Sequence, residues 1–131
     1  MIDGKYWDKT TQAERDVICN GIGPSYFPQE LRHAIDSIFK VFRESSTRHD
    51  VWYEYGKSWA EKKQGDDEFL TNMLSAAFKK YFLTFRFFKY CRFRGYAYIL
   101  YRFVRDKGDD AFWHQAKIDR LGLFVIPNKP F

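Results

Sequence analysis

The chain has 131 residues, a net charge of +5, 27 aromatic residues, two cysteines and three histidines. That length predicts one domain over 1–131 with a single core, and so few cysteines argue for a reduced, cytoplasmic chain rather than a disulfide-dense secreted one. No apolar run approaches the roughly eighteen residues needed to span a bilayer, and Met1-Ile2-Asp3-Gly4-Lys5 at the start has no apolar h-region, so no signal peptide is expected.

Strand signals are poor, because no run of alternating β-branched residues occurs. Helix signals are strong. Thr11-x-x-Glu14 has capping-box spacing. Cys19-Asn20-Gly21-Ile22-Gly23-Pro24 describes a tight loop whose backbone carbonyls can turn inward, an arrangement that suits calcium when an Asp completes the ligand set. Any turn can use glycine in this way, and with no preceding strand and no third glycine the loop is not a dinucleotide fingerprint. Pro28 suits a first helical turn and opens a helix-like piece to Phe42. Apolar positions then follow at steps of three and four: Leu31, Ile35, Ile38, Phe42, Ser45, His49, Trp52 and Gly56. Gly56-Lys57-Ser58 is a turn, and Ser58-x-x-Glu61 caps the next helix, Glu61 to Tyr81. Asp66 heads its row of Phe69, Leu70, Met73, Ala76, Ala77 and Lys80, while Asp67 falls nearer the Leu70, Leu74 and Phe78 flank. Gly95 and Gly108 interrupt, Asp109 or Asp110 caps a last helix through Lys117, and Phe124 to Phe131 is an irregular tail. The expectation is an all-α domain of five or six helices.

Within the first stripe His49 stands where a Leu is expected, with small Ser45 beside it and Tyr53 one turn on. Asp66 occupies a core row, where a carboxylate is costly unless paired. Antiparallel helices joined at Gly56–Ser58 bring Asp66 to His49, and a carboxylate that orients a histidine lets the free ring nitrogen act as a general base on water. Asp50 points about one hundred degrees round the helix and is free to ligate a cation. Two plainer readings stay open: His49 as a satisfied core residue, and Asp66 as a cap or partner of Lys62 or Lys63. Zinc is not expected, since His33, His49 and His114 are scattered without a Cys-x-x-Cys, and no nucleophile elbow supports a Ser-His-Asp triad.

Between Lys79 and Lys107 there are nine Lys or Arg and one acid, Asp106, a local net of +8 against −3 for the remainder. The same stretch holds eleven aromatics. Rings mixed with cations suit an anionic phospholipid surface. Two alternatives are ordinary core (Phe78, Phe82, Phe85, Ile99, Phe103) with a solvated basic face, and a groove for single-stranded nucleic acid.

Glycine loop, His49-Asp50-Val51-Trp52-Tyr53, then Asp66 three residues before Phe69: this order resembles the phospholipase A2 superfamily, most closely its disulfide-poor viral and prokaryotic members. The likeness covers residues 19 to about 78. It implies a phospholipase A2-like helical fold with two antiparallel core helices carrying the site and three or four further helices. His49 would activate water, with Asp66 and Tyr53 holding the imidazole. Asp50 and the carbonyls of Cys19, Gly21 and Gly23 would hold Ca2+, which polarises the sn-2 ester of a phospholipid. The chain departs from the family in four respects. Trp52 stands where secreted members have a disulfide cysteine. The loop lacks their flanking cysteines and aromatic, Pro24 follows it directly, and the stretch to His49 is longer. The competing expectations are a basic, aromatic-rich helical module that binds nucleic acid or protein, and an inactive chain that keeps only the fold.

Overall fold

The computed structural model describes residues 1–18 and 28–130. Among them are six α-helices and no strand: α1 (Gln12–Ile18), α2 (Ile35–Tyr55), α3 (Trp59–Ala77), α4 (Phe87–Lys107), α5 (Asp109–Phe112) and α6 (Gln115–Leu121). The all-α expectation therefore holds.

Pro28 fixes φ at −52° and leads into a 3-10 stretch, Gln29–Ala34, that runs directly into α2. The piece expected from Pro28 to Phe42 is thus the head of the helix carrying His49, not a separate element. Gly56 stops α2 by turning to an extended ψ of 143°, its N–H still donating to the Trp52 carbonyl at 2.7 Å. A Cβ there would lie 2.6 Å from the Phe112 ring, so only glycine lets α5 pack against the helix end. Ser58 then caps α3, accepting from the Glu61 N–H at 3.2 Å. Glu61 does not close the box on Ser58; it accepts from Lys57 N–H and from the Tyr6 hydroxyl at 2.7 Å. Thr11 caps α1 as expected, accepting from Glu14 N–H.

The short turn at Gly56–Ser58 and the pairings of 52 with 65 and 49 with 69 make α2 and α3 antiparallel. α3 continues past Ala77 as one π turn, Phe78–Phe82, and the chain reverses through Phe85 into α4. Tyr101 bonds Asp67 at 2.7 Å and Tyr81 packs on Phe93, so α4 returns antiparallel to α3.

The main core lies among these three helices: Ile38 and Phe42 from α2, Phe69, Met73 and Ala77 from α3, Phe93, Ala97, Leu100 and Val104 from α4, closed by Leu31 and Tyr81. Ala77 and Ala97 are wholly buried and let the backbones approach. Burying each of the large side chains contributes roughly 1.5–3 kcal/mol, before chain entropy is set against it. Trp52, in place of the disulfide cysteine of the resemblance, is buried in the α2–α3 seam, with Tyr6 edge-on and its indole N–H on Glu68 at 2.7 Å. The N-terminal segment is tied down by Asn72, whose amide accepts from Ile2 N–H and donates to Ile2 O, and by Trp7 lying between the guanidinium groups of Arg15 and Arg48. Arg48 also pairs with Asp3 and Glu44.

Three local expectations need correction. Gly95 lies inside α4 rather than interrupting it, because burial of Phe93, Ala97 and Leu100 holds the helix together across it. The last helix is split into α5 and α6 at Trp113–His114, where the His114 side chain accepts from Lys117 N–H and starts α6 afresh. Of the residues in the core alternative, Phe78, Phe82, Phe85 and Ile99 are exposed and only Phe103 packs on the core, where Tyr81, Phe93, Leu100 and Val104 are buried.

Candidate active site

His49 and Asp66 meet across the α2–α3 seam. His49 Nε2 lies 2.7 Å from Asp66 Oδ1, and both side chains are essentially out of water. Tyr53, one turn after His49, donates its hydroxyl to the same oxygen at 2.8 Å. The imidazole is stacked on Phe69 with ring centroids 4.4 Å apart and touches the Tyr53 ring, which fixes its plane. Sequence spacing thus placed His49, Tyr53 and Asp66 together correctly.

The second carboxylate oxygen has partners of its own. Lys62 Nζ approaches Asp66 Oδ2 at 2.8 Å and the Val104 carbonyl at 3.0 Å, and Arg105 from α4 reaches Oδ2 at 3.1 Å. The pairing with Lys62, one of the plainer readings above, is present alongside the histidine. Burial by itself would raise the Asp66 carboxyl, but the hydrogen bond and charge of His49, followed by those of Lys62, hold it down to about 2. Asp66 is therefore an anion at neutral pH. The Tyr53 phenol is pushed upward by burial and by that neighbouring carboxylate, so it stays a donor.

A carboxylate only accepts, so Nε2 carries the proton shared with Asp66, and in the neutral tautomer that this selects Nδ1 is the lone-pair nitrogen. Nδ1 is buried and has no hydrogen-bond partner among the described residues. His49 lines a cavity of about 560 Å3 with a mainly apolar wall that includes Ile38, Phe39, Leu100 and Phe103. Ser46, Asp50, Tyr53 and Glu54 reach the same cavity from α2, and Lys107 and His114 from the opposite side. Gly108 gives the Tyr53 hydroxyl its room, since a Cβ there would lie 2.5 Å from it.

Asp50 makes no hydrogen bond or ion pair among the described residues, and burial pushes its carboxyl up to about 7. A carboxylate beside the cavity with no partner among the described residues suits a hard cation, which would restore the ionised form. The other expected ligands, the carbonyls of Cys19, Gly21 and Gly23, lie outside the described residues. Among the described residues no three His, Cys, Asp or Glu side chains cluster as a metal site; one carboxylate with main-chain carbonyls makes no such cluster.

Two supports were not legible in the sequence. Arg105 is 39 positions from Asp66 and nothing local links them. Lys117 is wholly buried, donates to the Tyr53 carbonyl and lies 3.5 Å from the Phe112 ring centroid; burial pushes its ammonium down to about 7. With Arg120, which bonds the Glu54 carbonyl at 2.7 Å, it satisfies carbonyls left free at the C-terminus of α2, where a cation is favoured. The helix end carrying Tyr53 is held by α6. The chain matches no protein-family model, no curated protein and no solved structure.

Proposed function

We propose that the protein is a calcium-dependent phospholipase A2-like carboxylic ester hydrolase that acts on phospholipid, at the sn-2 ester, on an anionic membrane surface. One observation carries the reading: Nδ1 of His49 is buried with no hydrogen-bond partner among the described residues, the residue lines a largely apolar cavity, and Nε2 is bonded to Asp66.

In this reading His49 Nδ1 takes a proton from a water molecule, whose oxygen bonds to the ester carbonyl carbon. The tetrahedral adduct then expels the alkoxide as the acyl C–O bond breaks, and the imidazolium returns its proton to that oxygen, giving a fatty acid and a lyso-alcohol. Asp66 stabilises the transient imidazolium and, with Tyr53, keeps the ring in one tautomer and plane. Lys62 and Arg105 hold Asp66 in place. The apolar wall takes an acyl chain. Asp50 would hold calcium with the carbonyls of Cys19, Gly21 and Gly23, and the ion would supply charge stabilisation for the developing oxyanion.

A second reading has its own observation in favour. Asp66 is satisfied by Lys62 and Arg105 as well as by His49, so the cluster also makes sense as a structural ion network in a basic helical binding module. Calcium-dependent release of fatty acid from anionic vesicles separates the two. The hydrolase reading expects release by the wild type, its loss by at least about a hundredfold in His49→Gln, and unchanged helix content. No release by a folded wild type, with oligonucleotide binding that weakens steeply with salt, would establish the second reading instead.

A further inference from the structure

We propose that the reversal between α3 and α4 is a docking tip that inserts phenylalanine side chains into an anionic lipid surface. The proposal extends the phospholipid reading by naming a surface. It stands on groups about 18 Å along α3 from Asp66, at 1.5 Å per residue, and its test involves no turnover, so either can fail alone.

The end of the α3–α4 hairpin is unusually apolar for an exposed turn. Phe85 and Phe88 are 82% and 91% exposed, and Phe78, Phe82, Leu83 and Phe87 also face solvent. An exposed cluster of this kind marks an interaction surface. Phe85 further holds φ at 61°, a left-handed conformation that a side chain with a Cβ avoids. Glycine or asparagine would fold that turn at lower cost, so folding does not explain a bulky ring there.

Charge selects the occupant. Lys79, Lys80, Arg86 and Lys89 are exposed around the rings, and no acid occurs from Phe69 to Arg105. Two such tips repel one another, which disfavours a second copy of this chain. Stacked nucleic-acid bases need open ring faces; here Phe78 and Phe82 already stack on each other at 4.6 Å and 15°, and Phe82 is packed edge-on by Phe87 and Tyr90. Phenyl rings without polar tips, ringed by lysine and arginine, fit hydrocarbon below a layer of anionic headgroups.

The test is sedimentation with vesicles of phosphatidylcholine alone or mixed with phosphatidylglycerol, in chelator, using the full chain. Wild type should bind the mixed vesicles at least about tenfold better, and Lys79→Glu with Lys80→Glu should weaken that binding by about fivefold for each positive charge removed. Phe85→Ser with Phe88→Ser should reduce binding by about tenfold or more while helix content stays unchanged, since both side chains are exposed. In Phe88→Trp, brominated acyl chains should quench the new indole. Failure of the wild type to bind, undiminished binding by the serine variant, or an indole untouched by brominated lipid would overturn the proposal. It would equally fall if the serine substitutions instead abolished self-association or oligonucleotide binding.

Discussion

Lys62 Nζ sits 2.8 Å from Asp66 Oδ2, one turn earlier on the same helix, with both side chains removed from water. A buried lysine is costly unless every charge around it is answered. Here it is answered three times, by the Asp66 carboxylate, by the Val104 carbonyl and by Asp109 at 3.5 Å, so the pair links α3 to α4 and α5 just beneath His49. Removing one partner leaves the other buried with fewer groups to answer its charge. Lys62→Met is expected to cost about 3 kcal/mol in urea unfolding, less than the upper end for broken buried pairs because Arg105 remains on Asp66. Asp66→Asn takes the shared carboxylate from His49, Lys62 and Arg105 at once and should cost about 3–5 kcal/mol. The double variant should cost less than the sum of the two by at least about 1 kcal/mol. Strict additivity would show that the two groups do not act as a pair.

The two carboxylates near His49 give opposite pH signatures. Asp66 is held at about 2, below its ordinary 3.8, so the stability it contributes is fully present above pH 4 and is lost as pH falls through about 2. Asp50 is raised from 3.8 to about 7, so the fold favours its protonated form and stability is lost as pH rises through that range. Asp50→Asn mimics the protonated group. It should stabilise the protein at pH 8 by on the order of 2–4 kcal/mol and leave it little changed below pH 4. Thermal unfolding of the two proteins across that range tests this, and a constant difference would refute it.

Calcium should act on the same group. A cation that binds the folded state and not the unfolded one raises the melting temperature with concentration. Millimolar calcium is therefore expected to raise the Tm of the wild type at pH 7.5 and to leave that of Asp50→Asn unmoved. An equal rise in both would place the ion elsewhere.

Much of the site was legible because it lies on helices with a clear period. The stripe from Leu31 to Gly56 is buried at Leu31, Ile38, Phe42, Ser45, His49, Trp52 and Gly56, so the register that put His49 inward was set by its neighbours. Asp66 followed from its row with Phe69 and Met73, and Lys62 from its spacing of four residues. Arg105 and Lys117 escaped because their partners are fixed by tertiary packing and no local period encodes it. Phe78, Phe82 and Phe85 misled for a related reason. Periodicity gives the face of a helix but not where the helix outruns its neighbours, and at the hairpin end no third layer among the described residues covers them. The glycine loop, on which the metal expectation rests, lies outside the described residues.

Two glycines in helix interiors should respond oppositely to the same change, which tests how the seam positions His49. Gly65 on α3 faces Trp52 on α2: a Cβ there would lie 2.7 Å from the Trp52 Cβ and 2.8 Å from its Cγ. Those atoms are close to the backbone and cannot swing away, so the helices must part. Gly95 on α4 has nothing within 4 Å of an added Cβ. Alanine is worth about 0.5–1 kcal/mol over glycine in an open helix position. Gly95→Ala should therefore stabilise the protein by about that amount and leave the site untouched. Gly65→Ala gains the same propensity but overpacks the seam at a typical cost of about 1–3 kcal/mol, for a net loss. Its parting of α2 from α3 also lengthens the 2.7 Å contact between His49 and Asp66, which should appear as a changed imidazole NH resonance in Gly65→Ala and not in Gly95→Ala. If both variants were stabilised alike, the close approach of α2 to α3 at Trp52 would not be what holds the pair in register.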